Sequence, residues 1–349
     1  MQLKLSLTNG NNMKLIKYFS IAIALWAVIL FLTQNKSDYQ ILSGETMGTT
    51  YNIKIRSNKN DNMLHNRVKQ KLIEINQTMS VFEKDSEVNR INDAPADEWI
   101  ELSDEMASIL KAAHAIYKKT DGAFDPTIGK LVDIWGFGIV KTEKIPLQEE
   151  IDEVLSYSGF NRIKFSSDYK KLKKDDGRTH LNLSAIAKGY GVDEIAKLLE
   201  NEGYKNFLVE IGGEISAKGN RAKSESGWNI GIMDPTNNAQ NIAVATLKNS
   251  AVATSGDYFN YIHTDDAVYS HTISMKDGRP VRSNLTSVTV FGDNCRDADG
   301  YATSFMVMGA KKALAFANRH NLEAIFFVKD ESGKINAEAS NKAKKILGQ

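Results

Sequence analysis

The sequence predicts an α+β fold on three observations. Short apolar runs alternate with segments whose apolar residues recur at helical spacing. These elements follow one another without the strand–helix–strand rhythm of a doubly wound parallel sheet. A hydrophobic content of 42% beside 25% charged residues, over 349 positions, provides enough apolar mass for a core. In chain order, ILSGETMGTTYNIKI (41–55) reads as strand, glycine-centred turn and strand. Residues 62–79 set Met63, Leu64, Val68, Leu72, Ile75 and Met79 at helical period. Ser103–Thr120 is a second helix with Ser103 as N-cap. Pro146–Ser156 is a short helix, and Ser184–Glu202 a longer one ended by Gly203. Phe207–Ile215 reads as one apolar strand closed by Gly212-Gly213. Further strands are expected at Trp228–Met233, Ala243–Leu247, Ala251–Thr254 and Thr286–Phe291. Helices at Arg296–Met308 and Lys311–His320 precede a last strand, Ala324–Val328.

Charge and cysteine usage narrow the function classes. Lysine and arginine (44) balance aspartate and glutamate (43), which gives no electrostatic reason to expect a nucleic-acid partner. The single cysteine, Cys295, excludes an intramolecular disulfide and a zinc site of several thiolates. Five prolines and 24 glycines argue against long disordered linkers. Only the N-terminus departs from the average. Lys14 and Lys17 precede the apolar run Tyr18–Leu32, short for a spanning helix of about 20 residues and equally suited to a secretory signal. No small-residue cleavage site follows it, and no cysteine lies near to take a lipid. Residues 1–35 are therefore expected to be an uncleaved signal-anchor in the inner membrane, with cleaved export as the alternative. The basic flank stays cytoplasmic, so the remainder is expected on the outer, periplasmic side.

Four motifs carry chemistry. In DADGYATSFMVMG (297–309), a helix would put Asp299 and Thr303 on one face. Their hard oxygens suit Mg²⁺ or Ca²⁺; two such ligands are too few for a closed cage, an arrangement Mg²⁺ accepts when a phosphate completes its shell. Taken alone, the motif is better explained by Asp297 and Asp299 favouring the positive end of a helix, with Thr303 incidental. LNLSAIAKGYGVDEIAKLLE (181–200) leads from a strand-like LNL into a helix whose first amides, with Lys188, form an anion site. It matches neither the Walker A nor the Rossmann spacing. TDGAFDPTIGKLVDIWGFG (120–138) combines tight-turn pairs with a glycine–aromatic stretch suited to a planar ring, or to an ordinary packed loop. SHTISMKDGRPV (270–281) reads as a hairpin turning at Asp277-Gly278, with His271 on its first strand as a candidate general base.

From about Ile41 to about Phe327 the chain resembles the ApbE family of FAD:protein FMN transferases. The resemblance is carried by ETMGTTY, SVFEKDSEVNRIN, DGAFDPTIGKLVDIWGFG, LSAIAKGYGVDEIAKLLE, VEIGGEISAKG, ATSGDYFNY, SHTISMKDGRPV and DADGYATSFMVMG, in that order. It implies one large domain over residues 40–340 with T-fold-like elements. It also implies Mg²⁺-dependent cleavage of FAD by a threonine hydroxyl of another protein, which leaves FMN on the threonine and releases AMP. By motif matching, Asp299, Thr303 and the backbone carbonyl of Ala185 hold the metal. Met47, Phe82, Ala123, Phe124, Asp125, Asn182, Lys188 and Ile273 line the FAD site, with His271 and Asp299 as catalytic groups. Asn182 stands where the family often has aspartate, and Phe82 where it often has tyrosine; each keeps the shape and loses a charge or a hydroxyl. The implied acceptors are threonine-bearing subunits of membrane redox pumps, such as the Na⁺-translocating NADH:quinone oxidoreductase or Rnf complexes. Two rivals remain at this stage: an FAD pyrophosphatase, and a non-catalytic periplasmic FAD-binding protein.

Overall fold

The computed structural model describes residues 39–348 apart from 58, 60, 140, 143, 236, 257–260 and 264–267. The expected signal-anchor and the end of the ATSGDYFNY motif lie outside the described residues. Among those described, no helix is long and apolar enough to cross a membrane.

An eight-stranded sheet organises the chain, and its spatial order is the order of the sequence. Its strands are β1 (Tyr39–Thr46), β2 (Thr49–Arg56), β3 (Phe207–Ile211), β4 (Glu214–Lys218), β5 (Ser250–Gly256), β6 (Leu285–Gly292), β7 (Glu323–Lys329) and β8 (Ile335–Ala339). Every neighbouring pair is antiparallel. The β1–β2 turn is Met47-Gly48, with φ of 51° and 70°, the left-handed pair that a two-residue hairpin requires. The segment expected as a single strand, Phe207–Ile215, is two. Gly212 and Gly213 both take positive φ and reverse the chain, so that Ile211 pairs with Glu214.

Excursions from this meander carry the helices. Between β2 and β3 come α1 (Leu64–Met79), α2 (Glu87–Asp93), α3 (Asp104–Lys119), α4 (Gly129–Ile134), α5 (Gln148–Tyr157) and α6 (Ser184–Asn201). A three-stranded sheet built from Ile100–Glu101, Ile163–Phe165 and Lys171–Lys174 lies in the same excursion. Between β6 and β7 come α7 (Cys295–Met308) and α8 (Ala310–Arg319). The expected N-cap of α3 is present: Ser103 Oγ accepts from the Met106 amide at 3.0 Å. Acidic residues in its first turn and lysines in its last suit the helix dipole.

Both faces of the sheet are covered. On one, Ile53, Val209 and Val290 pack against Val192, Ile195 and Leu199 of α6 and Ala298, Ala302 and Phe305 of α7. On the other, Val252, Phe291, Ile325 and Phe327 meet the hairpin Trp228–Asp234/Asn237–Leu247 through Trp228, Ile230 and Ala245. Burial on both faces explains why β7 reads as a continuous apolar run rather than an alternating one.

Candidate active site

The site begins where α6 crosses α7. The crossing is close because residue 189 is glycine: a Cβ there would lie 2.4 Å from the Cys295 carbonyl oxygen and 2.8 Å from Asp299 Cβ. At that approach the Gly189 amide donates to Asp299 Oδ2 at 2.9 Å. In a regular helix this amide donates to the carbonyl of Ala185, so Asp299 competes for the donor of the carbonyl predicted to face a metal. One turn along α7 from Asp299, Thr303 Oγ1 lies 3.4 Å from Ser255 Oγ of β5. The start of α7 is held from the same partner helix. Asp193 of α6 accepts from the amides of Cys295 and Arg296 at 2.8 and 2.9 Å, and Asn294 caps the Asp297 amide.

Charge is concentrated at this crossing. Asp299 is 2% exposed and Glu214, the first residue of β4, 1% exposed. Lys188 Nζ lies 3.3 Å from Glu214 Oε1. Burial raises the pKa of both carboxyls and Lys188 opposes the shift; Asp299 raises Glu214 further, while the Gly189 amide holds Asp299 down. Burial also works against the charge of Lys188, but Asp299 and Glu214 outweigh it and hold the ammonium above its ordinary range. The crossing thus presents a protonated lysine beside two buried carboxyl groups. It suits an anion paired with a cation and repels an isolated anion.

Of the other predicted residues, Asn182, Phe124 and Met47 reach α6 or α7 at or near this crossing. The Asn182 amide donates to the Pro126 carbonyl at 2.7 Å, and its Oδ1 accepts from the Ser184 amide at 3.0 Å at the start of α6. Phe124, 2% exposed, packs at Gly300 of α7, where a Cβ would lie 3.6 Å from its ring. Ala123 sits in the preceding turn, its amide bonded to the Thr120 carbonyl. Both oxygens of Asp125 are engaged, accepting from the amide and hydroxyl of Thr127 and from the Phe160 amide. Met47 reaches the helix from its turn, its Cε 2.8 Å from where a Cβ on Gly191 would stand. Phe82 is 67% exposed, on a loop fastened by Asn89 to the carbonyls of Val81 and Glu83.

The hairpin of residues 270–281 docks on the 120–138 segment. Ile273 is buried with Leu131, Trp135 and Ile151, and Trp135 Nε1 donates to the Gly278 carbonyl at 2.8 Å. His271 lies in a bend between Val268–Ser270 and Ile273–Ser274, which corrects its expected place on a strand. Ile273–Ser274 pairs with Arg279–Pro280, and the Val281 amide donates to the Thr272 carbonyl at 2.8 Å one pair further along. The His271 ring meets Phe137 edge-on at 6.5 Å.

Sequence reasoning missed Glu214, Gly189, Asp193 and Ser255. Glu214 and Gly189 lay inside quoted motifs, where the signal was an acid directly after a glycine pair and a glycine beside a lysine. Asp193 and Ser255 also lie inside quoted motifs, but nothing in the local wording marks them, since each acts on an element remote in sequence. Among the described residues no three His, Cys, Asp or Glu side chains converge as a metal cluster. The predicted donors, one carboxylate, one hydroxyl and one carbonyl, would not form such a cluster, and as an all-oxygen set they fit a hydrated Mg²⁺. An open cleft of about 600 Å³, lined by Glu74, Asp85, Glu87, Arg90 and Glu101 among others, shares no residue with this site.

The ApbE family model matches residues 47–326. A FAD:protein FMN transferase of Vibrio cholerae is 36% identical over 317 residues, covering 89% of this chain and 94% of that protein. One of Haemophilus influenzae is 36% identical over 330 residues, 92% and 95% of the two chains. The solved flavin transferase ApbE from Vibrio cholerae superposes with a TM-score of 0.81 at 35% identity, covering 88% of this chain and 99% of that one. The Pseudomonas stutzeri flavinyl transferase ApbE, in its apo form, gives 0.81 at 31% identity over 89% and 97%. The family match and these similarities span the same elements that build the crossing of α6 and α7, and the chain belongs to the ApbE family.

Proposed function

We propose that the protein is a FAD:protein FMN transferase that moves FMN from FAD to a threonine of an acceptor protein and releases AMP. The observation that carries this is the crossing itself: a protonated lysine, two buried carboxyls and a hydroxyl converge in a chain of this family. In the reaction, the acceptor hydroxyl oxygen bonds to the FMN phosphorus as the bridging P–O bond of the diphosphate breaks. The bridging oxygen and its electron pair leave with AMP, and the hydroxyl proton passes to a base. Asp299, Thr303 and the Ala185 carbonyl would hold Mg²⁺, which supplies charge neutralisation to a dividing diphosphate. Lys188 binds and orients the phosphate groups as a point charge. His271, in the bend between the two short hairpins, is the group assigned to take the hydroxyl proton. Phe82, held out from its loop, offers a stacking face for a flavin or purine ring. Asn182, Met47, Phe124 and Ile273 form the remaining walls, and the aliphatic and aromatic members exclude water.

The apolar N-terminal run supports tethering at the outer face of the inner membrane. A tether there would raise the effective concentration of enzyme and membrane-bound acceptor. The acceptors that fit are flavinylated subunits of Na⁺-translocating NADH:quinone oxidoreductase or Rnf type. The test is incubation with FAD, Mg²⁺ and a threonine-bearing acceptor subunit, read by intact mass. The expected result is an acceptor heavier by one FMN, with the gain lost in Asp299→Asn. Accumulation of free FMN with an unchanged acceptor would instead establish hydrolysis. FAD that stays intact would leave a binding protein.

A further inference from the structure

We infer that Glu214 is a positioning residue of this site: it draws the Lys188 ammonium to itself and so keeps the Asp299 carboxylate open to a divalent cation. The inference rests on the roles proposed above for Lys188 and Asp299. A lysine and a metal compete for the same carboxylate oxygens, and a buried ammonium left beside a single carboxylate would pair with it. Here the pairing goes elsewhere. Among the described residues Glu214 is the carboxylate within ion-pair distance of Lys188, at 3.3 Å, while Asp299 acts on the lysine without such contact. On the Asp299 side, the Gly189 amide on Oδ2 fixes the carboxylate with a donor that carries no charge.

The backbone is shaped for this arrangement. Glu214 follows the Gly212-Gly213 reversal and is locked by its pairing with Ile211. Gly212 has a φ of 58°, and a Cβ there would stand 3.3 Å from Lys188 Cδ and 2.8 Å from Thr49 Cγ2. The turn therefore lies along the lysine stem and aims it at the carboxylate one residue beyond Gly213. Glu214 Oε2 is buried with no hydrogen-bond partner. A glutamate kept only for stability would have both oxygens satisfied in so buried a place. Its carboxyl is held by Lys188 and by its own backbone amide, and by no other side chain among the described residues within ion-pair distance, which is what a residue that steers the lysine needs.

The test compares wild type, Glu214→Gln, Glu214→Asp, Lys188→Met and the Lys188→Met/Glu214→Gln double variant in the full chain. Glu214→Gln should lower kcat for FMN transfer by on the order of 10–100-fold, as losses of an outer partner of a ligand do. At saturating Mg²⁺, where the metal site is filled in both proteins, KM for FAD should change by less than about threefold. Calorimetric titration of the metal-free protein with Mg²⁺ alone, which needs no turnover, should show weakened binding. Glu214→Asp should recover part of both losses. With Lys188 already replaced, Glu214→Gln should cost nothing further. Wild-type Mg²⁺ affinity in Glu214→Gln overturns the inference, and so does an equal further loss in the Lys188→Met background. Should Glu214→Gln fail to fold by circular dichroism, Glu214→Asp decides, and unchanged Mg²⁺ affinity in it overturns the proposal. An inactive wild type would refute the proposed function, whereas an active wild type with an indifferent Glu214→Gln refutes this inference alone.

Discussion

Lys174 shows how single residues outside the site set its geometry. Its ammonium is fully buried and donates to the carbonyls of Asn92, Gly177 and Thr179 at 2.7, 2.8 and 3.2 Å. Burial lowers its pKa to about 8, so at neutral pH it keeps three N–H groups for three carbonyls. Asn92 in turn brackets Leu181, accepting from its amide at 2.7 Å and donating to its carbonyl at 3.0 Å. Asn182 and the start of α6 follow directly. Lys174→Met keeps the volume and strands three acceptors, which should cost about 2–4 kcal/mol. Urea unfolding would measure the loss, and FAD titration should show weaker binding. His180 belongs to the same segment, and burial, followed by Lys130 and Lys174, lowers its pKa to about 4. A folded pKa below the unfolded one means that the unfolded chain binds more protons between pH 4 and 6.5. The stability His180 contributes is thus complete above 6.5 and is lost as pH falls toward 4. A shift of this size corresponds to about 3 kcal/mol in full, and the partial exposure of the ring reduces this to about 1–2 kcal/mol. Asp193, raised by burial to about 6, acts in the opposite sense over part of that window, so the raw acid slope mixes the two. The clean measurement is the difference between wild type and His180→Gln in unfolding midpoint at pH 6.5 and at pH 4.5. The variant should lose less stability, and identical losses would show that His180 does not titrate as proposed.

At the scale of elements, the decisive event is the approach of α6 to α7. Its cause is a competition that Gly189 resolves. Alanine would favour the helix by about 1 kcal/mol over glycine. A Cβ placed 2.4 Å from a carbonyl oxygen of the neighbouring helix, however, meets backbone that cannot rotate away. Overpacking of this kind costs about 1–3 kcal/mol, so Gly189→Ala should be destabilising despite its better propensity. It should also lengthen the Gly189–Asp299 hydrogen bond and reduce FMN transfer more than tenfold, roughly the effect of a displacement near 1 Å. Melting temperature and transfer rate, measured together, check both halves; a stabilised and fully active variant would refute the account. Elements with strong local signals were legible in the sequence. These include the β1–β2 turn, the Ser103 cap and the helices of residues 64–79, 184–201 and 295–308. Phe207–Ile215 reads as one strand because its apolar run continues through the glycine pair, and only pairing reveals the reversal. The helices Glu87–Asp93 and Gly129–Ile134 were not foreseen. Both are too short for two turns of apolar period, and they owe their shape to tertiary contacts.

In the whole molecule, an antiparallel meander whose spatial order is its sequence order carries, on its excursions, the residues proposed for the site. Asp299 and Thr303 come from the β6–β7 excursion and Asn182, Lys188 and Phe124 from the β2–β3 excursion. Ile273 and His271 come from between β5 and β6, Met47 and Glu214 from two of the hairpin turns. This explains what the sequence alone left open. The motif residues could be collected from local wording, but Glu214, Asp193 and Ser255 acquire meaning only when separate excursions meet. A ligand that touches several excursions of the proposed site binds the native arrangement and not the unfolded chain. Ligand that binds the native state alone stabilises it by about 2.7 kcal/mol at one hundred times its Kd. For a chain of this size that corresponds to a rise of roughly 4 °C in melting temperature. FAD with Mg²⁺ should therefore raise the midpoint by about that much, and FAD without metal by clearly less. In Asp299→Asn, the amide oxygen still accepts from Gly189 while the charge is gone, so the metal-dependent increment should vanish and the FAD-only increment survive. Unfolding followed by circular dichroism, free of interference from flavin fluorescence, reads all four conditions. An increment that persists in Asp299→Asn would mean that the cation binds the nucleotide alone and not this protein.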